Sequence, residues 1–170
     1  MLTKDFTHTI DLWIKAVEQN NFARICAKPT PISWSLGQVC MHLIEATNYY
    51  LQQATICLAT SDHTDEDMTP NAKTMFRNNE FPDELIEGPS SNSYTPQPDN
   101  KEVLLRDLLK LKEEISQIEI LISTSTSKGK TKHPGLHYFN AKEWFQFADM
   151  HLRHHLRQKK RMDEFLKTVL

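Results

Sequence analysis

Apolar residues return every three or four positions along four long stretches of this chain, a period that suits helices and not strands. The first stretch, from about residue 4 to 27, sets Phe6, Ile10, Trp13, Ile14 and Val17 on one stripe and stops near Pro29 and Pro31. The second opens at residues 33–35, where Ser35 and Gln38 have the spacing of a capping box. It carries Val39, His42, Leu43, Ala46, Tyr49, Tyr50 and Ile56 to an end near Thr60. The third is capped by Asp99 with Glu102 as its reciprocal partner, and continues through Val103, Leu104, Leu108, Leu111, Ile115, Ile118 and Ile122. After a polar Ser/Thr/Lys loop over residues 123–132 and the turn signal His133-Pro134-Gly135, Asn140 and Glu143 open the last helix. That helix bears Trp144, Phe145, Ala148, Leu156, Met162 and Leu166. No segment alternates as a half-buried strand would, and neither an internal repeat nor a Gly-rich phosphate loop is present.

The fold expected is all-α: a four-helix bundle in one domain spanning residues 1–170, a length suited to a single core. Residues 61–100 form a proline-rich connection, with prolines at 70, 82, 89, 96 and 98 and at most a turn of helix around residues 72–77. A link of about forty residues far exceeds the two to eight usual between antiparallel neighbours. A crossover joining parallel second and third helices accounts for it and gives an up-down-down-up order.

Charge narrows the function. The net charge of −2 comes from acids and bases mixed along the chain, which argues against a broad nucleic-acid-binding face. The one dense basic run, residues 153–161, reads as the solvated side of the last helix. Cys26, Cys40 and Cys57 lack the spacing of thiolate metal knuckles and read as reduced, mostly buried thiols. With no signal pattern at the N-terminus and no apolar run near the ~20 residues that span a bilayer, a cytoplasmic protein without membrane partners is expected.

The chemistry concentrates in Asp149-Met-His-Leu-Arg-His-His-Leu-Arg-Gln158. Counting about 100° per residue from Trp144, Ala148 falls near 40°, His151 near 340°, His155 near 20° and Met162 near 0°. His151 and His155 therefore share the core-facing side one turn apart, while His154, near 280°, lies at its margin. On the second helix His42 lies on the arc of Val39, Ala46, Tyr49 and Ile56 and faces inward too. Buried imidazoles need partners, and ligation of a divalent ion satisfies several at once. Three inward histidines without an obvious fourth protein ligand fit a catalytic site with an open position, rather than a closed structural one. Cys40, about 160° from His42 on the wheel, is a poor closing ligand. Gln38, Glu45, His154, Asp149 and Gln158 are candidates to orient the imidazoles. For a catalytic base the sequence offers only Glu45, one turn from His42 but about 60° off its direction, and Asp149 beside the pair.

Trp34-Ser-Leu-Gly-Gln-Val-Cys-Met-His42-Leu, His133-Pro-Gly, Asn140-Ala-Lys-Glu-Trp144 and His151-Leu-Arg-His-His155-Leu-Arg-Gln158 together resemble the DinB-like superfamily of metal-dependent enzymes, over nearly the whole chain. The resemblance implies an up-down-down-up bundle, frequently a homodimer, that binds nickel, zinc or iron through three histidines; the matching positions are His42, His151 and His155. It further implies a small-molecule substrate. Characterised relatives include thiol S-transferases using low-molecular-weight bacterial thiols and a mycothiol-dependent isomerase. This chain departs from the simplest pattern in the length of its 61–100 insertion. Two functions are consistent with these residues: a divalent-metal-dependent enzyme, a thiol S-transferase or hydrolase, or a non-catalytic bundle that binds a small molecule or partner and keeps a structural or vestigial metal site.

Overall fold

A computed structural model describes residues 3–82 and 94–169, with side chains from Phe6 onward; Pro89 lies outside the described residues. Helices dominate. In chain order they are α1 (Thr3–Glu18), α2 (Phe22–Cys26), α3 (Leu36–Ala59), α4 (Pro70–Asn78) and α5 (Lys101–Thr124), then strands β1 (Lys130–His133) and β2 (His137–Asn140), then α6 (Ala141–His154) and α7 (Leu156–Leu166). The long helix α3 packs against α5 and α6, and α1 packs against the same two. Between them lie Phe6, Ile10 and Trp13 of α1, Leu36 and Leu43 of α3, Leu104, Leu108 and Leu111 of α5, and Trp144 and Phe145 of α6, each at most 1 % exposed. The stripes predicted from periodicity are thus largely the core, except on α3, where Tyr49 and Ile56 are about two-fifths exposed, at 40 % and 42 %.

Local chemistry explains the boundaries. The Ser35–Gln38 and Asn140–Glu143 capping boxes both form, with each N-cap side chain accepting from the N3 amide and the N3 side chain accepting from the N-cap amide. The first helix, expected to run to residue 27, instead breaks after Glu18. Asn20 turns its side-chain amide back onto the Ala16 carbonyl, and Asn21 caps α2 by accepting from the Arg24 amide. Asparagine competes with the helical backbone in this way, and two in succession end the helix. The cap of α5 is Asn100, not Asp99: its side chain accepts from the Val103 amide at 2.8 Å, one residue past the expected start.

The described parts of the 61–100 connection, residues 61–82 and 94–100, are more ordered than their composition suggested. Thr69 caps α4, Pro70 occupies its first turn, and Asn79 closes it in the left-handed region with φ 54°. Gln146 and Arg153 of α6 both donate to the Asn79 side chain, which holds α4 against α6. At the far end, Gln38 donates to the Thr95 carbonyl and Ser35 to Gln97. Gly37 lets Pro98 approach α3, since a Cβ there would lie 2.7 Å from the proline ring.

The hairpin β1–β2 was not anticipated. It pairs Lys130 with Asn140 through to His133 with His137, and only Phe139 among its eight residues is buried. So little burial gives no alternation to detect. It stands on α6 through Trp144, whose indole donates to Thr131 at 2.8 Å. Among the described residues no helix is long and apolar enough to cross a membrane.

Candidate metal centre

Three helical segments deliver one imidazole each to a common point. His42 comes from the second turn of α3, His151 from the last turn of α6, and His155 from the junction of α6 with α7. The last helix, expected to be continuous, is interrupted at His155, with φ −72° and ψ −11°. Its amide nevertheless still donates to the His151 carbonyl, so the two side chains keep their one-turn relationship. Among the described residues these three histidines are the group whose ligand atoms all lie within 4.8 Å of one another.

The convergence is tight. Nε2 of His151 lies 3.3 Å from Nε2 of His42 and 3.2 Å from Nε2 of His155. Neutral rings cannot satisfy both contacts by hydrogen bonding, because the single in-plane site of the His151 Nε2 is either one proton or one lone pair. Charging a ring is disfavoured. Burial pulls all three below the usual imidazole range: His42 is lowered, His151 is lowered well below it by burial and then by the other rings, and His155 falls to about 4. Three neutral rings aiming lone pairs at one point are the form a metal ion takes up. Two nitrogens held about 2.0–2.1 Å from a tetrahedral ion stand roughly 3.3 Å apart, the separation found here.

Aromatic rings surround the histidines. Trp34 lies against His42 with ring centroids 5.1 Å apart, and Tyr50 and Phe81 lie against His151 at 5.6 and 6.0 Å. Phe81 is 8 % exposed and follows α4, so the 61–100 connection supplies part of the site's wall. Sequence reasoning missed Phe81, which has no periodic neighbours to mark it as inward. Gln158 accepts from Nδ1 of His155 at 2.9 Å. His154 lies against Phe81 in a tilted arrangement, with centroids 5.4 Å apart, and stays outside the trio.

The two candidate bases do not join the cluster. Glu45 is exposed and lines a surface groove of about 530 Å³ between α3 and α5, with Asn48, Gln52 and Glu114. Asp149 is 6 % exposed but engaged by Arg153, whose Nε donates to it at 3.0 Å. Gln38 is occupied by its cap and by Thr95. Cys40, fully buried with its thiol pushed up to about 12 by burial, lies outside the group as its wheel position required. All three cysteines are free thiols.

The depressed histidines make the metal-free protein acid-sensitive. Burial also lowers His133 to about 4, and its Nδ1 accepts from the Gly135 and Leu136 amides, which a proton there would break. Unfolded histidines bind protons near pH 6.5, whereas folded His133 and His155 wait until about 4. The unfolded state therefore carries more protons in that window, and stability falls as pH drops through it. Thermal melts of metal-free protein should shift steadily downward between about pH 6.5 and 4; a flat profile would contradict these environments.

Comparison with protein-family models, with curated proteins and with solved structures gives no match, so the functional reading rests on this geometry.

Proposed function

We propose that the chain is a divalent-metal-dependent enzyme of the DinB-like kind, with His42, His151 and His155 as ligands of nickel, zinc or iron. The observation that carries this reading is the meeting of three neutral Nε2 atoms at 3.2 and 3.3 Å, which hydrogen bonds alone leave unsatisfied. A bound ion would supply Lewis acidity at a position left open by a three-ligand protein set, enough to favour the deprotonated form of a thiol near neutral pH. The protein's own residues hold that position. Trp34, Tyr50 and Phe81 limit water around the rings and offer an apolar surface to a small organic substrate. A thiol S-transferase using a low-molecular-weight thiol suits such a site, with a hydrolase as the neighbouring class. The same reading takes α1, α3, α5 and the α6–α7 pair as the four members of an up-down-down-up bundle, acting in the cytoplasm as a homodimer.

Two observations favour a second reading, a non-catalytic bundle with a structural ion: neither Glu45 nor Asp149 reaches the trio, and the three histidines link α3 to α6–α7. Chelation separates the two. For an enzyme, dialysis against a chelator leaves the chain folded with only a modest fall in melting temperature and removes turnover of thiol and electrophile pairs, which added nickel or zinc restores. A collapse of the melting temperature on chelation, with no turnover of any pair in the metal-loaded protein, would instead establish the structural role.

A further inference from the structure

The rear nitrogens of the two C-terminal histidines are treated unequally. Nδ1 of His151 is buried and has no hydrogen-bond partner among the described residues, whereas Nδ1 of His155 meets the Gln158 amide oxygen at 2.9 Å. His155 is also the ring most in need of restraint, since it sits at the break between α6 and α7 and is the more exposed of the two. Gln158 stands three residues on, in the first turn of α7, where its side chain lies one turn away on the same face. An amide oxygen only accepts, so the shared proton belongs to Nδ1 of His155 and the lone pair of Nε2 is left facing His151. The reverse tautomer would place a hydrogen on the atom that has to ligate.

We propose that Gln158 is the positioning residue of this site: by accepting from Nδ1 it fixes the tautomer and ring orientation of His155 and so sets the affinity of the three histidines for a divalent ion. The inference rests on the three-histidine metal reading and adds to it a residue that touches neither ion nor substrate. The choice of an amide has a consequence. A carboxylate in its place draws the Nδ1 proton more strongly and makes Nε2 a better donor, whereas a neutral amide orients the ring and leaves the ion more electrophilic. Substitutions at one position should therefore move affinity in opposite directions, which loss of packing alone does not do.

Three proteins test this: wild type, Gln158→Leu and Gln158→Glu, each stripped of metal and titrated with zinc against a competing chelator. Gln158→Leu should bind zinc about 10–100-fold more weakly, Gln158→Glu more tightly than wild type, and all three metal-free forms should melt at similar temperatures. Imidazole nitrogen NMR of the metal-free wild type should show His155 protonated at Nδ1, with mixed tautomers in Gln158→Leu. Equal zinc affinities in the three proteins, or an Nε2-protonated His155 in wild type, would overturn the role of Gln158 while leaving the metal site standing. Wild-type protein with no zinc affinity would overturn the three-histidine reading, and this inference with it.

Discussion

Replacing His151 with alanine should weaken metal binding by at least about two orders of magnitude while the chain stays folded. His151 is the central member of the trio: its Nε2 approaches both other nitrogens, at 3.3 and 3.2 Å. Removing it leaves His42 and His155 as a two-point grip on separate segments. If an ion binds with roughly 10 kcal/mol shared by three imidazoles, each contributes about 3 kcal/mol, so affinity should fall by at least about two orders of magnitude. The fold has less at stake. The ring is 7 % exposed and its loss opens a small cavity beside Phe81 and Tyr50, but it also removes a buried Nδ1 with no partner among the described residues and two contacts that cannot both be satisfied. His151→Leu fills more of that space and serves as the second variant. Zinc titration with circular dichroism on both checks the expectation. Undiminished zinc affinity in either folded variant would exclude His151 as a ligand.

The largest effect on stability is expected at Trp144. It is fully buried, its indole donates to Thr131 of the hairpin, and its ring lies 5.0 Å from Phe139 and 5.9 Å from both Tyr49 and Tyr50. Trp144 thus joins three elements: α6, α3 and the β1–β2 pair. Trp144→Ala leaves a large void and two hairpin residues without their packing partner, at a cost of about 3–5 kcal/mol. Against a total of about 5–15 kcal/mol this takes a third or more of the stability in most cases, a fall in melting temperature of roughly 10 °C. Trp144→Phe keeps most of the ring and loses the indole N–H, so it should cost far less, with about 1 kcal/mol from the hydrogen bond. Denaturant unfolding of the two variants separates packing from hydrogen bonding. Similar losses in both would mean that the Thr131 bond, and not the ring, dominates.

How far the sequence foretold this structure depends on how local the cause was. Ser35 with Gln38 and Asn140 with Glu143 are three-residue relationships that need no tertiary partner, and both form. The convergence of His42, His151 and His155 agrees with helical angle: on α6 Trp144, Ala148 and His151 share a buried stripe, whereas on α3 only Val39 of the arc used to place His42 is buried and Tyr49 and Ile56 are exposed. Even the interruption at His155 did not spoil the forecast, since the amide of that residue still reaches the His151 carbonyl.

Features governed by distant contacts were not legible. Phe81 reaches His151 only because Asn79 is gripped by Gln146 and Arg153 from α6, about seventy residues away. The hairpin depends on Trp144 and on backbone bonds from Lys130 to Asp62 and from Tyr138 to Asp67, none of which leaves a pattern in Lys-Thr-Lys-His or His-Tyr-Phe-Asn. Asp99 and Asn100 are both good caps, and only the backbone decides between them: Asn100 takes the extended conformation, with φ −159° and ψ 170°. Glu45 was misleading for a different reason. Its place one turn beyond His42 suggested reach, but it points to the α3–α5 groove and solvent.

The central claim is that His42, His151 and His155 together hold one divalent ion, and X-ray absorption on the zinc-loaded protein tests it most directly. The account predicts one zinc per chain with three imidazole nitrogens at about 2.0–2.1 Å and one further oxygen ligand at a similar distance. A sulfur shell near 2.3 Å, an oxygen-only shell, or less than a tenth of an equivalent of zinc retained after loading would contradict it.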